Sequence, residues 1–110
     1  MDERPACLER LRGTLGLWSV TSDWVAPRDV AVMAGEVESL GYSAFWLHEA
    51  WGREAVSGAG LFLAATSRLV VATGIASIYA RDAVASVNAA RALRAAAGPT
   101  CPRSGGGPAP

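Results

Sequence analysis

Residues 67–82 read Ser-Arg-Leu-Val-Val-Ala-Thr-Gly-Ile-Ala-Ser-Ile-Tyr-Ala-Arg-Asp, and this stretch constrains the fold more than any other. Leu69-Val70-Val71-Ala72 is an apolar run too short for a helix and β-branched at its centre, with helical patterns on both sides of it. Such a run predicts a strand buried on both faces, hence a parallel strand flanked by crossover helices. Thr73-Gly74-Ile75-Ala76-Ser77 then lies where the strand emerges at its carboxyl end. In α/β folds that end is where ligands sit. A glycine there weakens the ladder, so Gly74 marks a bulge or a close backbone approach.

The rest of the chain repeats the alternation. A short helix is predicted over residues 5–12, and the loosely alternating residues 15–20 form a first strand. Pro27 suits the first turn of a helix. Val30, Met33, Ala34, Val37 and Leu40 follow at helical spacing on one face, with Asp29 and Glu36 away from it. Gly41 is the expected left-handed stop. Residues 42–48 form a second strand, and residues 49–60 read as a loop leading into a second helix centred on residues 61–65. A third helix runs from an Asp82 N-cap to Ala97, with Asn88, Arg91 and Arg94 as its polar stripe opposite Val87, Ala90, Leu93 and Ala97. Residues 98–110, rich in Pro and Gly, bury too little apolar surface to offset their ordering entropy and are expected to be disordered. The division is therefore a segment of residues 1–14, a domain of residues 15–97 and a tail of residues 98–110.

The order is β-α-β-α-β-α, in units of about 25 residues, near the spacing of a (β/α)8 TIM barrel. A doubly wound open sheet shows the same alternation. On the barrel reading, this α/β chain carries the N-terminal three βα units, and the barrel is incomplete.

Charge and composition exclude several classes. The ten basic residues are all Arg, ten acids balance them, and the net charge is zero. Nucleic acid and anionic membranes both require clustered positive potential, so neither is an expected partner. No apolar run approaches the ~20 residues of a membrane span. The acidic opening of residues 1–5 has no apolar core after it and does not read as a signal peptide. Cys7 and Cys101 lack metal-ligand neighbours and read as free thiols of a reducing cytoplasm. There is no P-loop, no Gly-rich dinucleotide turn after the first strand and no metal-ligand cluster.

Two stretches carry a family resemblance. Residues 41–49, Gly-Tyr-Ser-Ala-Phe-Trp-Leu-His-Glu, resemble the second strand of the luciferase-like monooxygenase superfamily, where a helix ends in Leu-Gly and the strand runs to Trp-x-x-Glu at the barrel mouth. Residues 65–82 resemble its third strand and following turn, most closely in the branch that uses the deazaflavin coenzyme F420. The resemblance covers residues 16–97. It implies a deazaflavin ring, or alternatively FMN, held at the carboxyl ends of the strands. It also implies a non-prolyl cis peptide at Gly74-Ile75 whose bulge backs the ring; the residues alone leave an ordinary trans strand with a glycine bulge open. Gly74, Ile75 and Ala76 become cofactor-binding candidates, with Trp51 as a ligand wall. Trp18 and Trp46 are further aromatic candidates, with strand core as the simpler use of Trp46.

Glu49 matches the family's acidic residue at the end of strand two, which makes it a candidate catalytic residue with His48, and is otherwise a loop carboxylate next to Arg53 or the second helix. His48, the only histidine, stands at a strand end and is a candidate catalytic proton donor, or else a packed imidazole. Related enzymes place a histidine after the acid, where this chain has Ala50; in a regular strand His48 and Ala50 face the same way. Arg81 matches an arginine after strand three, with a structural carboxylate pair as its expected use. Ser77 and Tyr79 are rim hydrogen-bonding candidates. After helix three the family continues with a Pro-Gly-Arg-Phe turn and a fourth strand, which residues 98–110 do not match.

The expected function is a piece of a deazaflavin- or flavin-dependent oxidoreductase or monooxygenase moving a hydride between the ring and a small organic substrate, with little turnover on its own. The alternatives are a non-catalytic module that associates through an exposed sheet edge, and a different α/β enzyme with similar spacing.

Overall fold

A computed structural model of the chain describes residues 6–97, with side chains from residue 9 onward. The expectations for the tail of residues 98–110 and for the Cys7 and Cys101 thiols lie outside what is described. In chain order the elements are α1 (Ala6–Leu11), β1 (Gly16–Trp18), a 3₁₀ turn (Thr21–Trp24), α2 (Pro27–Ser39), β2 (Ala44–Leu47), α3 (Ala55–Ala65), β3 (Val70–Thr73) and α4 (Ala83–Ala97). The strands form one parallel sheet in the order β1-β2-β3, with Gly16, Ala44 and Val70 in one rank and Trp18, Trp46 and Ala72 two residues on. The α/β class is as expected, and three parallel βα units of this kind are consistent with an arc of a (β/α)8 barrel.

Alternation along the strands divides the sheet into two faces. The first carries Leu17, Phe45, Leu47 and Val71, which meet Val30, Ala34 and Val37 of α2 and Ala59 and Phe62 of α3. Its centre is Phe45 stacked on Phe62, ring centroids 4.4 Å apart. The second face carries Ala44 and Val70, closed over by Leu11 of α1, and beyond them Trp18 and Trp46, both left partly open. The run that anchors the sequence argument is thus buried on both sides at Val70 and Val71.

Helix ends follow local chemistry. Pro27 opens α2, and Gly41 at φ +94° turns the chain out of it. That turn corrects one expectation: Leu40 is the C-cap of α2 and stays 75% exposed, because the chain leaves the core face before its side chain reaches it. A second correction is the start of α3 at Ala55, inside the segment read as a loop. Glu54 caps it by accepting from the N–H groups of Val56 and Ser57, and Gly58 lets the helix lie close to Leu47 and Arg53. In α4, Asp82 caps as expected by accepting from Ala85 N–H at 2.7 Å. Leu93 packs toward Gly60 of α3, but Val87 is exposed and Arg94 half-buried, so the apolar and polar stripes are less separated than the periodicity suggests. No α4 residue is fully buried.

The loop before β3 is held by one carboxylate. Glu38, in the last turn of α2, accepts from the backbone N–H groups of Ser67, Arg68 and Leu69 and from the Ser67 hydroxyl. Loss of water would raise its pKa, but those donors hold it below the ordinary carboxylate value.

Phe62→Ala removes the fully buried partner of Phe45 and is expected to cost ~3–5 kcal/mol. Urea titration followed by circular dichroism should show the cooperative transition lost or displaced far toward zero denaturant.

Candidate functional site

The carboxyl ends of the three strands bring the sequence candidates to one end of the sheet. Continuing the alternation, Gly74 falls on the second face with Trp18 and Trp46. A side chain added at Gly74 would place its first carbon 3.5 Å from the Trp46 ring and 3.6 Å from that of Trp18. The missing Cβ is therefore a shallow gap between two indoles. Trp18 is 54% exposed and Trp46 41%, so the rings form an aromatic floor that the helices leave open. The Gly74-Ile75 peptide is cis. Ile75 is exposed and Ala76 partly buried. The Gly74 N–H donates to the Leu47 carbonyl at 2.7 Å, extending the β2–β3 pairing by one residue. His48 lies at the rim of the floor, half-buried, its ring edge-on to Trp18 with centroids 5.8 Å apart and planes at 80°. Among the described residues its imidazole has no hydrogen-bond partner.

Glu49 turns the other way and ties loops together. Its side chain is only 10% exposed; it accepts from Ala55 N–H at the start of α3 and from Ser77 N–H after β3, and pairs with Arg81 at 2.5 Å. Arg81, 12% exposed, also reaches Glu54 at 3.2 Å and donates to the Ser77 carbonyl. Burial by itself would raise the Glu49 pKa; the Arg81 hydrogen bond, the two backbone donors and the Arg81 charge bring it down to about 2. The same pair raises Arg81, chiefly through its hydrogen bond to Glu49. A carboxylate held in this way stays ionised near neutral pH and is poorly suited to carrying a proton there. The expected neighbour Arg53 is not its partner. Arg53 donates instead to the carbonyls of Ser22 and Val25, binding the β2–α3 loop to the segment after β1. Beside it Ser22 Oγ, Asp23 Oδ1 and Arg53 Nε are buried without a hydrogen-bond partner among the described residues.

Trp51 stands apart at 92% exposed, in the loop after Glu49, and no ring stacks on it among the described residues. Tyr79 is similarly open, while Ser77 is committed through its N–H to Glu49. Two contacts had no signal in the sequence. Trp18 Nε1 donates to the Gly74 carbonyl at 2.7 Å across 56 positions, and Arg53 reaches the Ser22 carbonyl across 31. Among the described residues no cluster of His, Cys, Asp and Glu is suited to a metal, and no helix is long and apolar enough to cross a membrane.

Parallel βα units whose strand ends gather an aromatic floor, a glycine gap and loops latched by an ion pair define a barrel-type α/β domain with its candidate site at the carboxyl ends of the strands. Residues 10–98 match the family model described as luciferase-like monooxygenase, and the chain belongs to that family. Members of the family commonly bind flavin or F420. Neither the comparison with curated proteins nor that with solved structures gives a significant match.

Two outcomes follow from the loop geometry. Because Glu49 is held near 2 against an ordinary value of 4.5, its contribution of about 3 kcal/mol is complete above the ordinary value and is lost as pH falls toward 2. Glu49→Gln should therefore be much less stable than wild type at pH 7, and urea midpoints of the two should converge as pH drops through that window. Gly52→Ala would set a Cβ 2.4 Å from Asp23 Cβ and 2.7 Å from its backbone oxygen. It should destabilise by ~1–3 kcal/mol in the same urea assay, since backbone must move to relieve the overlap.

Proposed function

We propose that this chain is part of an oxidoreductase that moves a hydride between a flavin-type ring and a small organic substrate, with the deazaflavin F420 as the first-choice ring and FMN as the alternative. The observation that carries this reading is the gap at Gly74, bordered by Trp18 and Trp46 on the part of the second face that α1 leaves open. A planar ring needs an apolar surface without a projecting Cβ, and these residues offer one. Gly74, Ile75 and Ala76 would hold the ring from behind, and the exposed Trp51 would fold over as a side wall. When bound, the ring itself supplies the redox chemistry, and the protein binds, orients and desolvates it.

His48 is the group in this reading that delivers or takes a proton at the rim, where its half-buried ring meets Trp18 in a T-shaped contact. Glu49 acts through position: it fixes the turn that carries Ala76 and Ser77. The domain of residues 15–97 carries all of these groups. The F420 preference rests on the likeness of residues 65–82 to that branch.

A second reading has its own observation. Among the described residues, β1 and β3 each pair along one edge only, and a net charge of zero sets up no repulsion between copies. An unpaired parallel edge is a template for another chain. On this reading the chain is a non-catalytic module that associates through that edge.

Separate titrations with F420 and FMN, read by ring fluorescence, decide between them. The oxidoreductase reading expects saturable binding of one ring, weakened at least ~10-fold by Gly74→Val, which fills the gap between the indoles. Absence of binding to either ring, with concentration-dependent mass in sedimentation, would favour the module.

A further inference from the structure

Gly74 is held from two strands at once. Its N–H is bonded to Leu47 on β2, and its carbonyl accepts from the indole N–H of Trp18 on β1 at 2.7 Å. A peptide unit is planar, so fixing the Gly74 carbonyl also fixes the plane in which the Ile75 N–H lies. Trp18 meets His48 as well, edge to face at 5.8 Å. One half-exposed side chain on β1 therefore touches both groups around which the candidate site is built: the backbone after β3 and the histidine after β2. Tryptophan alone among the apolar aromatics supplies both a broad ring and an N–H donor.

We infer that Trp18 is a positioning residue of the site: through the Gly74 carbonyl it sets the backbone surface of residues 74–76, and through its ring it sets the tilt of His48. This goes past an aromatic wall for a ligand, because the contact that matters is made with the protein's own backbone. The inference borrows only its ligand, a flat flavin-type ring, from the proposed function.

Trp18→Phe keeps an aromatic ring beside His48 and deletes the donor. In ¹H–¹⁵N spectra of the full chain without ligand, the Ile75 and Ala76 amide signals should move while those of Val30 and Val37 on α2 stay in place. Affinity for whichever of FMN and F420 the wild type binds should fall roughly tenfold. Unmoved Ile75 and Ala76 signals, or unchanged affinity where the wild type binds, would overturn the inference. If the wild type binds neither ring, the oxidoreductase reading falls and the amide signals alone decide this one. Should the variant lose its α2 signals and fail to fold, hydrogen exchange of the wild-type indoles decides. A bonded Trp18 N–H should exchange more slowly than that of the 92% exposed Trp51, and equal rates would sink the proposal.

Discussion

A parallel strand has two faces and two edges to satisfy, and this three-stranded sheet meets the demand unequally. The face of Phe45, Leu47 and Val71 is covered by α2 and α3 in an ordinary apolar core. The opposite face is closed by Leu11 near the amino ends of the strands and left to two tryptophans near the carboxyl ends. The same asymmetry that leaves apolar surface open also creates the only broad aromatic floor among the described residues. Stability and site therefore draw on opposite sides of one layer of backbone.

Loops at the carboxyl end are short of core and are held by charge. Glu49 with Arg81 joins the turn after β3 to the start of α3, and Arg53 joins the start of α3 to the segment after β1. Glu38 does the same for the opposite end of β3. Each uses a buried or half-buried charge to satisfy several backbone groups that would otherwise face little water. Buried charges of this kind are costly to desolvate, so their worth lies in geometry and in the number of backbone groups they satisfy. Glu49 is the clearest case: a residue whose place at a strand end suggests acid–base work is fully engaged in holding two loops.

Much of the architecture was legible from local pattern. The apolar run at Val70 and Val71, the Pro27 and Gly41 boundaries and the Asp82 cap each depend on neighbours within a few positions, and each is where the residues said it would be. The errors came where tertiary contact overrules the local signal. Residues 55–60 looked like a loop because two glycines lower helix propensity, yet Gly58 leaves room for the Arg53 side chain, 3.2 Å from where a Cβ would stand. Leu40 continued an apolar stripe that the helix ended too soon to use.

By itself the sequence determined the alternation of strands and helices, the parallel class of the sheet and the grouping of Glu49, Gly74 and their neighbours at the strand ends, because hydrophobic period, caps and turns are short-range properties. Only the tertiary structure decided which faces of that sheet are covered, that Arg81 and not Arg53 pairs with Glu49, and that Trp18 reaches Gly74. Those partners are tens of residues apart, and only the pairing of strands from distant parts of the chain brings them within hydrogen-bonding distance.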